Sequence, residues 1–296
     1  MSELTRRVVV GVIAAPIGIA VVLYGGAALA GLLAIISAIG AWEFFRIARA
    51  TGLTPMEDVG IPLAGLVPLF VHARYLRLYE LPLSGMAVAV LAAFALTIFT
   101  RGVAGKPLGA AASTVFGVLY TGGMLSFGYA IRYHDYVIET SRVSLGGVAV
   151  AAGGLLLLLP LLLTWASDIG AFFVGRAFGK RKLMPSVSPG KTIAGAVGAL
   201  VVTALVAWAY TRYVLTPATQ LAFVRGGAIV FGLLISVAAQ VGDLAESLIK
   251  REAGMKDSSH LIPGHGGVLD RFDSLLFVLP VAYVLLNVLL VWAPPR

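Results

Sequence analysis

No cysteine occurs anywhere in the 296 residues. That excludes a disulfide framework, a thiolate nucleophile and any cysteine-ligated metal site. Charge is almost as scarce: Asp, Glu, Lys and Arg together make up 12% of the chain, against 59% hydrophobic residues. Mean hydropathy is +0.95. A soluble domain of ordinary composition is about a quarter charged, so this chain has too little polar surface for water, and its solvent is largely lipid. Apolar runs of membrane-crossing length, about 20 residues each, recur from end to end. A cleavable leader is not expected either. The opening MSELTRRVVVGVIAAPIGIAVVLYGG starts with basic residues, but its apolar run is too long and flows into a second without a clear cleavage site. It reads as a retained first span.

The expected fold class is therefore an all-α polytopic membrane protein. Nine spans are expected, at 7–24, 27–46, 58–73, 81–100, 108–131, 146–166, 192–211, 226–249 and 272–293, with the sixth able to run on through Asp168. Gly25-Gly26 should break the first apolar stretch into a helical hairpin. About five spans fill 1–145. The remainder, 146–296, reads as the catalytic region, with polar loops at 167–191 and 250–271. A cytoplasmic N-terminus places fifteen of the 22 basic residues inside and leaves seven outside, as the positive-inside rule favours. That orientation puts the C-terminus outside and both polar loops in the cytoplasm.

Only 14 acids exist in the chain, and five sit close to apolar spans. Asp168 follows LLLLLPLLLTWAS; Asp243 and Glu246 end the eighth span; Asp270 and Asp273 open the ninth. Ionisable groups at membrane depth are expensive and usually face a polar cavity or a partner. On a helix Asp243, Glu246 and Ser247 share a face, and so do Asp270 and Asp273. Two such faces joined by one loop offer oxygen ligands to a divalent cation. Magnesium suits them, because it takes few carboxylates and completes its shell with water and phosphates. The structural alternative pairs Asp270 with Arg271 and Glu246 with Lys250.

Between those faces lies KDSSHLIPGHGGVLDRFDS, 256–274. The glycines Gly264, Gly266 and Gly267 would let backbone amides approach an anion, or simply make a tight turn after Pro263. Lys250, Arg251, Lys256 and Arg271 surround them with positive charge. His265 is a candidate acid, base or phosphate donor. The other polar loop, SDIGAFFVGRAFGKRKLMPSVSPGKT, gathers Arg176, Lys180, Arg181, Lys182 and Lys191 with Ser186, Ser188 and Thr192. Some of that charge would serve as an anchor to anionic headgroups. Its GKT is not a Walker motif, since the first glycine of G-x-x-x-x-G-K-[ST] would fall on Pro185. Acids for a metal, glycines and bases for phosphate, and a lipid solvent fit phosphoryl or nucleotidyl transfer between a soluble donor and a lipid.

Ser247-Leu-Ile-Lys250-Arg251, Lys256-Asp257, Pro263-Gly-His265-Gly-Gly and Asp270-Arg271-Phe-Asp273, in unbroken spacing, resemble the signature of the phosphatidate cytidylyltransferases (CDP-diacylglycerol synthases). Upstream, Asp168, Gly175 to Lys180, Ser188-Pro189 and Lys191-Thr192 resemble the same family. The similarity is strongest over 165–273. Two positions depart: Gly190 stands where the family has a lysine, and Ala194 where it has a glutamate.

The resemblance implies transfer of the cytidylyl group of CTP to phosphatidate, with Mg2+ as cofactor, a second cation (K+) beside it, and a homodimer in the inner membrane with its active site facing the cytoplasm. Asp243, Asp270, Asp273 and Glu246 would hold metal. Asp243, Asp270, Lys250, Arg251, Lys256, Arg271 and His265 would serve the reaction. Asp168, Arg176, Lys180, Ser188, Lys191, Thr192, Ser247 and the three glycines would bind substrate. The rival readings are another CTP-dependent lipid enzyme, such as a polyprenol kinase or isoprenoid-lipid cytidylyltransferase, and a cation-coupled transporter. The aspartate pattern of the CDP-alcohol phosphotransferases is absent from the sequence.

Overall fold

The computed structural model describes residues 3–78, 83–101, 103–137, 142–145, 148–262, 264 and 266–293, with the backbone alone at 3–10, 83–90, 93, 142–145 and 148–151. Helix dominates, because in a bilayer each backbone N–H and C=O must find its partner within the segment. Nine helical rods follow one another among the described residues. The first four are α1 (Glu3–Tyr24), α2 (Gly26–Ala50), α3 (Glu57–Tyr75) and α4 (Leu83–Thr100). Then come α5 (Pro107–Arg132), α6 (Ala152–Phe178), α7 (Ile193–Thr219), α8 (Gly227–Glu252) and α9 (Leu269–Leu289). Six of these, α2 and α5 to α9, are long and apolar enough to cross a membrane. The protein is a multi-pass membrane protein.

The polar loop expected at 167–191 is corrected by the structure. Helix α6 starts at Ala152 and runs through Asp168 to Phe178, so about three further turns of helix occupy what the charge pattern marked as loop. Apolar residues continue past Asp168 in IGAFFVG, and nothing there breaks the helix. Beyond it comes a β-hairpin, β3 (Lys182–Met184) against β4 (Ser188–Thr192). Two more antiparallel pairs qualify the all-α expectation. Strands β1 (Arg142–Leu145) and β2 (Val148–Ala151) precede α6, and β5 (Leu221–Phe223) pairs with β6 (Leu290–Trp292).

The chain forms two compact units. The first comprises Met1–Val12, Gly26–Tyr129 and Ile249–Phe272. In it α2 packs on α3, and both meet the π-helical turn Leu119–Gly123 of α5. Phe44 fills the contact, its ring centroid 5.5 Å from Phe116 and 5.8 Å from Tyr120.

The second unit comprises Ile13–Gly25, Ala130–Leu248 and Asp273–Arg296. Its centre is the close pairing of α6 with α7. Small residues permit it: a Cβ on Gly195 would lie 2.7 Å from the carbonyl oxygen of Ala171. Such close backbone approach is how helices associate where lipid supplies no hydrophobic drive. Buried Arg132 closes the end of α1, donating from Nε to Val22 O (3.1 Å) and from Nη2 to Leu23 O (3.0 Å).

Candidate active site

Within the second unit one pocket of about 370 Å³ gathers much of the upstream motif. Helix α6 presents Ser167, Asp168, Ala171, Phe172, Gly175 and Arg176, spaced to share a face. Strand β4 adds Gly190, Lys191 and Thr192; α8 adds Gln240 and Asp243. Thr192 also starts α7, its hydroxyl accepting the amide of Gly195 (3.1 Å) in an extended N-cap conformation. Below the acids runs a polar ladder. Ser167 Oγ and Ser236 Oγ are 3.0 Å apart, and Gln240 Nε2 donates to Ser236 Oγ (3.2 Å) and Ala196 O (3.3 Å). In the lining Lys191 Nζ lies 2.5 Å from Asp243 Oδ2, and Ser247 Oγ donates to Asp243 Oδ1 (3.4 Å).

The structure thus brings Asp168, Arg176, Lys191, Thr192 and Asp243 together, with Ser247 beside them. Lys180 is exposed, and neither it nor Ser188 lines the pocket. Glu246 is fully buried on α8. Asp273 Oδ1 accepts the amide of Ser274 (2.6 Å).

In the first unit the stretch 250–270 forms a second polar cluster. Lys250 Nζ donates to Asp270 Oδ1 at 2.6 Å, with only 11% and 4% of those side chains exposed. Asp270 also accepts the amides of Ser258 (3.0 Å to Oδ2) and Gly267 (2.7 Å), and the Ser258 hydroxyl (3.0 Å). The glycines serve this packing. Gly266 holds φ +81°, and a Cβ there would meet Asp270 Oδ2 at 2.7 Å. A Cβ on Gly267 would overlap Ser258 Oγ and Glu43 Oε1. Gly264 also adopts a left-handed φ, +77°. Arg251 donates to Met255 O (3.3 Å), while Lys256 and Arg271 are exposed. His265 lies outside the described residues.

Buried carboxylate, paired lysine, glycine loop and basic rim occur in the order the signature demands, and the comparison with known sequences is as clear. The family model described as "Cytidylyltransferase family" matches residues 5–289. The chain belongs to the cytidylyltransferase family. Its relatives include proteins named phosphatidate cytidylyltransferase from Pseudomonas aeruginosa, 36% identical over 96% of this chain and 97% of that one, and from Bacillus subtilis, 30% identical over 97% and 98%. The Synechocystis protein of the same name is 30% identical, covering 97% of both chains.

One residue of this polar cluster was not anticipated. Glu43 on α2 is fully buried. Its carboxylate accepts from Ser259 Oγ (2.5 Å), Val268 N (3.0 Å) and Leu269 N (2.5 Å), and shares the one Ser258 hydroxyl proton (3.0 Å) with Asp270. The signal was available, for an acid inside the apolar AWEFFRI carries the same cost as Asp168. Its partners, 215 residues and more away in the chain, leave no local pattern.

Proposed function

We propose that this protein transfers the cytidylyl group of CTP to phosphatidate, releasing pyrophosphate and forming CDP-diacylglycerol. The family match over nearly the whole chain carries the reading, and the relatives' names supply the substrate. It is a CTP-dependent nucleotidyltransferase of phospholipid biosynthesis. A phosphatidate phosphate oxygen attacks the α-phosphorus of CTP; the bond from that phosphorus to the bridging oxygen of the β-phosphate breaks, and pyrophosphate leaves. The nucleophile is already an anion, so the protein's task is charge cancellation and in-line placement rather than proton removal.

The pocket of the second unit suits the triphosphate. Lys191 and Arg176 offer cations at its lining, and the positive end of the α7 dipole beside Thr192 favours an anion. Its donor set also fits magnesium: Asp243 and Asp168 line one cavity, and that ion typically takes one or two carboxylates plus phosphate oxygens. Magnesium at Asp243 and Asp168 would offset the charge of the triphosphate and polarise its α-phosphorus. A cation at Asp243 would displace the half-exposed Lys191 from Oδ2, and one at Asp270 would displace the more deeply buried Lys250 from Oδ1.

The same reading has nine helices crossing the inner membrane, the N-terminus and the active site in the cytoplasm, and the protein as a homodimer. Six helices long and apolar enough to cross a membrane and the excess of basic residues that nine spans would leave on one side are what this reading rests on. The deciding assay follows pyrophosphate and lipid product from purified protein with phosphatidate, magnesium and each of the four nucleoside triphosphates. CTP-selective pyrophosphate release with CDP-diacylglycerol supports the proposal. CDP release with a newly phosphorylated lipid alcohol would make it a kinase, and no turnover with any lipid would overturn both.

A further inference from the structure

We infer that Glu43 is a positioning residue for the reaction, resting on the function proposed above: it anchors the loop 256–269 and, through Ser258, sets the geometry of Asp270 and Lys250. A buried carboxylate is tolerated only when its oxygens are satisfied by donors, and Glu43 has three of its own besides the Ser258 hydroxyl proton it shares with Asp270. They come from both ends of one loop. Ser258 and Ser259 lie just after Lys256, whereas Val268 and Leu269 supply amides at the first turn of α9, which lack partners inside the helix. The negative charge also faces the positive end of that helix. A single side chain of α2 thereby closes the loop that carries Gly264, Gly266 and Gly267.

The anchor continues to the functional groups. Ser258 Oγ lies 3.0 Å from Glu43 Oε2 and 3.0 Å from Asp270 Oδ2. Asp270 in turn holds Lys250 and the Gly267 amide. Gly267 packs so tightly against Glu43 and Ser258 that no larger residue fits. Displacing Glu43 therefore moves the glycine loop and the Asp270–Lys250 pair together. Glutamine is not a substitute: in either orientation its NH2 group would face a backbone N–H, of Val268 or of Leu269, and leave it without an acceptor.

The test compares wild type with Glu43→Gln and with Ser259→Ala, which removes one donor and leaves the carboxylate in place. Hydrogen exchange of peptides spanning 256–269 should accelerate about tenfold or more in Glu43→Gln, as expected for losing a hydrogen bond to a charged group, while peptides from α6 and α7 keep their wild-type rates. In the assay of pyrophosphate release, kcat should fall about tenfold or more with the KM for phosphatidate unchanged. Ser259→Ala should move both readouts the same way by less. The double variant should be no worse than Glu43→Gln alone, since both changes break one contact. Faster exchange over 256–269 with normal kcat would overturn the positioning role, as would unchanged exchange. If Glu43→Gln fails to fold, Ser259→Ala decides by the same two readouts. Wild type without CTP turnover would instead sink the proposed function, and the exchange result would then judge the loop anchor alone.

Discussion

Lys191 Nζ and Asp243 Oδ2, 2.5 Å apart, join β4 to α8 in the lining of the pocket. Their side chains keep 26% and 33% of their surface exposed, so the pair contributes at most about 1 kcal/mol to stability. Its worth lies in what each partner does when a triphosphate and a cation arrive. Asp243→Asn is expected to lower kcat about 100-fold or more, and Lys191→Met to raise the KM for CTP about tenfold. Both should shift the melting temperature by no more than roughly 4 °C. Steady-state kinetics beside a thermal melt in detergent checks each; a large fall in melting temperature would recast the pair as structural.

The Lys250–Asp270 pair should behave differently, because it is nearly out of solvent. Breaking such a pair from one side strands the other charge and costs about 3–5 kcal/mol. Asp270→Asn should therefore lose stability together with activity. The double change Asp270→Asn with Lys250→Met should regain part of the stability and none of the turnover, read by melting and pyrophosphate release on the same preparations.

Two glycines of the upstream motif should respond oppositely. A Cβ on Gly190 meets nothing within 4 Å, and the residue lines the pocket. Gly190→Lys should fold normally and lower the KM for CTP by adding a cation where phosphates are expected. Gly195→Val would push against the Ala171 carbonyl and wedge α6 from α7. It should reduce folded yield in size-exclusion chromatography.

His134 supplies a pH dependence away from the pocket. The residue follows α5, and burial lowers its pKa below the usual 6.5, against the opposing pull of Asp135 and a hydrogen bond with Asn287. The unfolded chain therefore takes up the proton first as pH falls. Stability should be complete above about pH 6.5 and decline below it. Melts between pH 8 and pH 5 should show the decline, and His134→Phe should flatten it.

The helical rods were legible because apolar runs bounded by Gly25-Gly26 or by clustered bases report their own ends. Asp243, Lys191 and Asp270 were legible because charge is scarce enough to stand out. The hairpin β3–β4 was not, since KLM and SPGKT carry charge and turn residues that read as loop, and their pairing is a tertiary outcome. Nor did spacing reveal that Gly266 and Gly267 sit against carboxylates, or that Lys250 would pair with Asp270 across twenty residues. Those choices depend on which side chains meet across a long stretch of chain, and a local pattern carries no record of them.

The anchor on Glu43 also sets an order of events during biogenesis. Helix α2 leaves the ribosome early, while Ser258 and its neighbours follow 215 residues later, about 10–40 s at ordinary rates of synthesis. Until then a lone carboxylate sits in an apolar helix without the donors that satisfy it in the folded protein, which is costly. The last loop to be made thus releases the first buried acid from its wait, so a nascent chain halted before Ser258 is a natural target for membrane quality control.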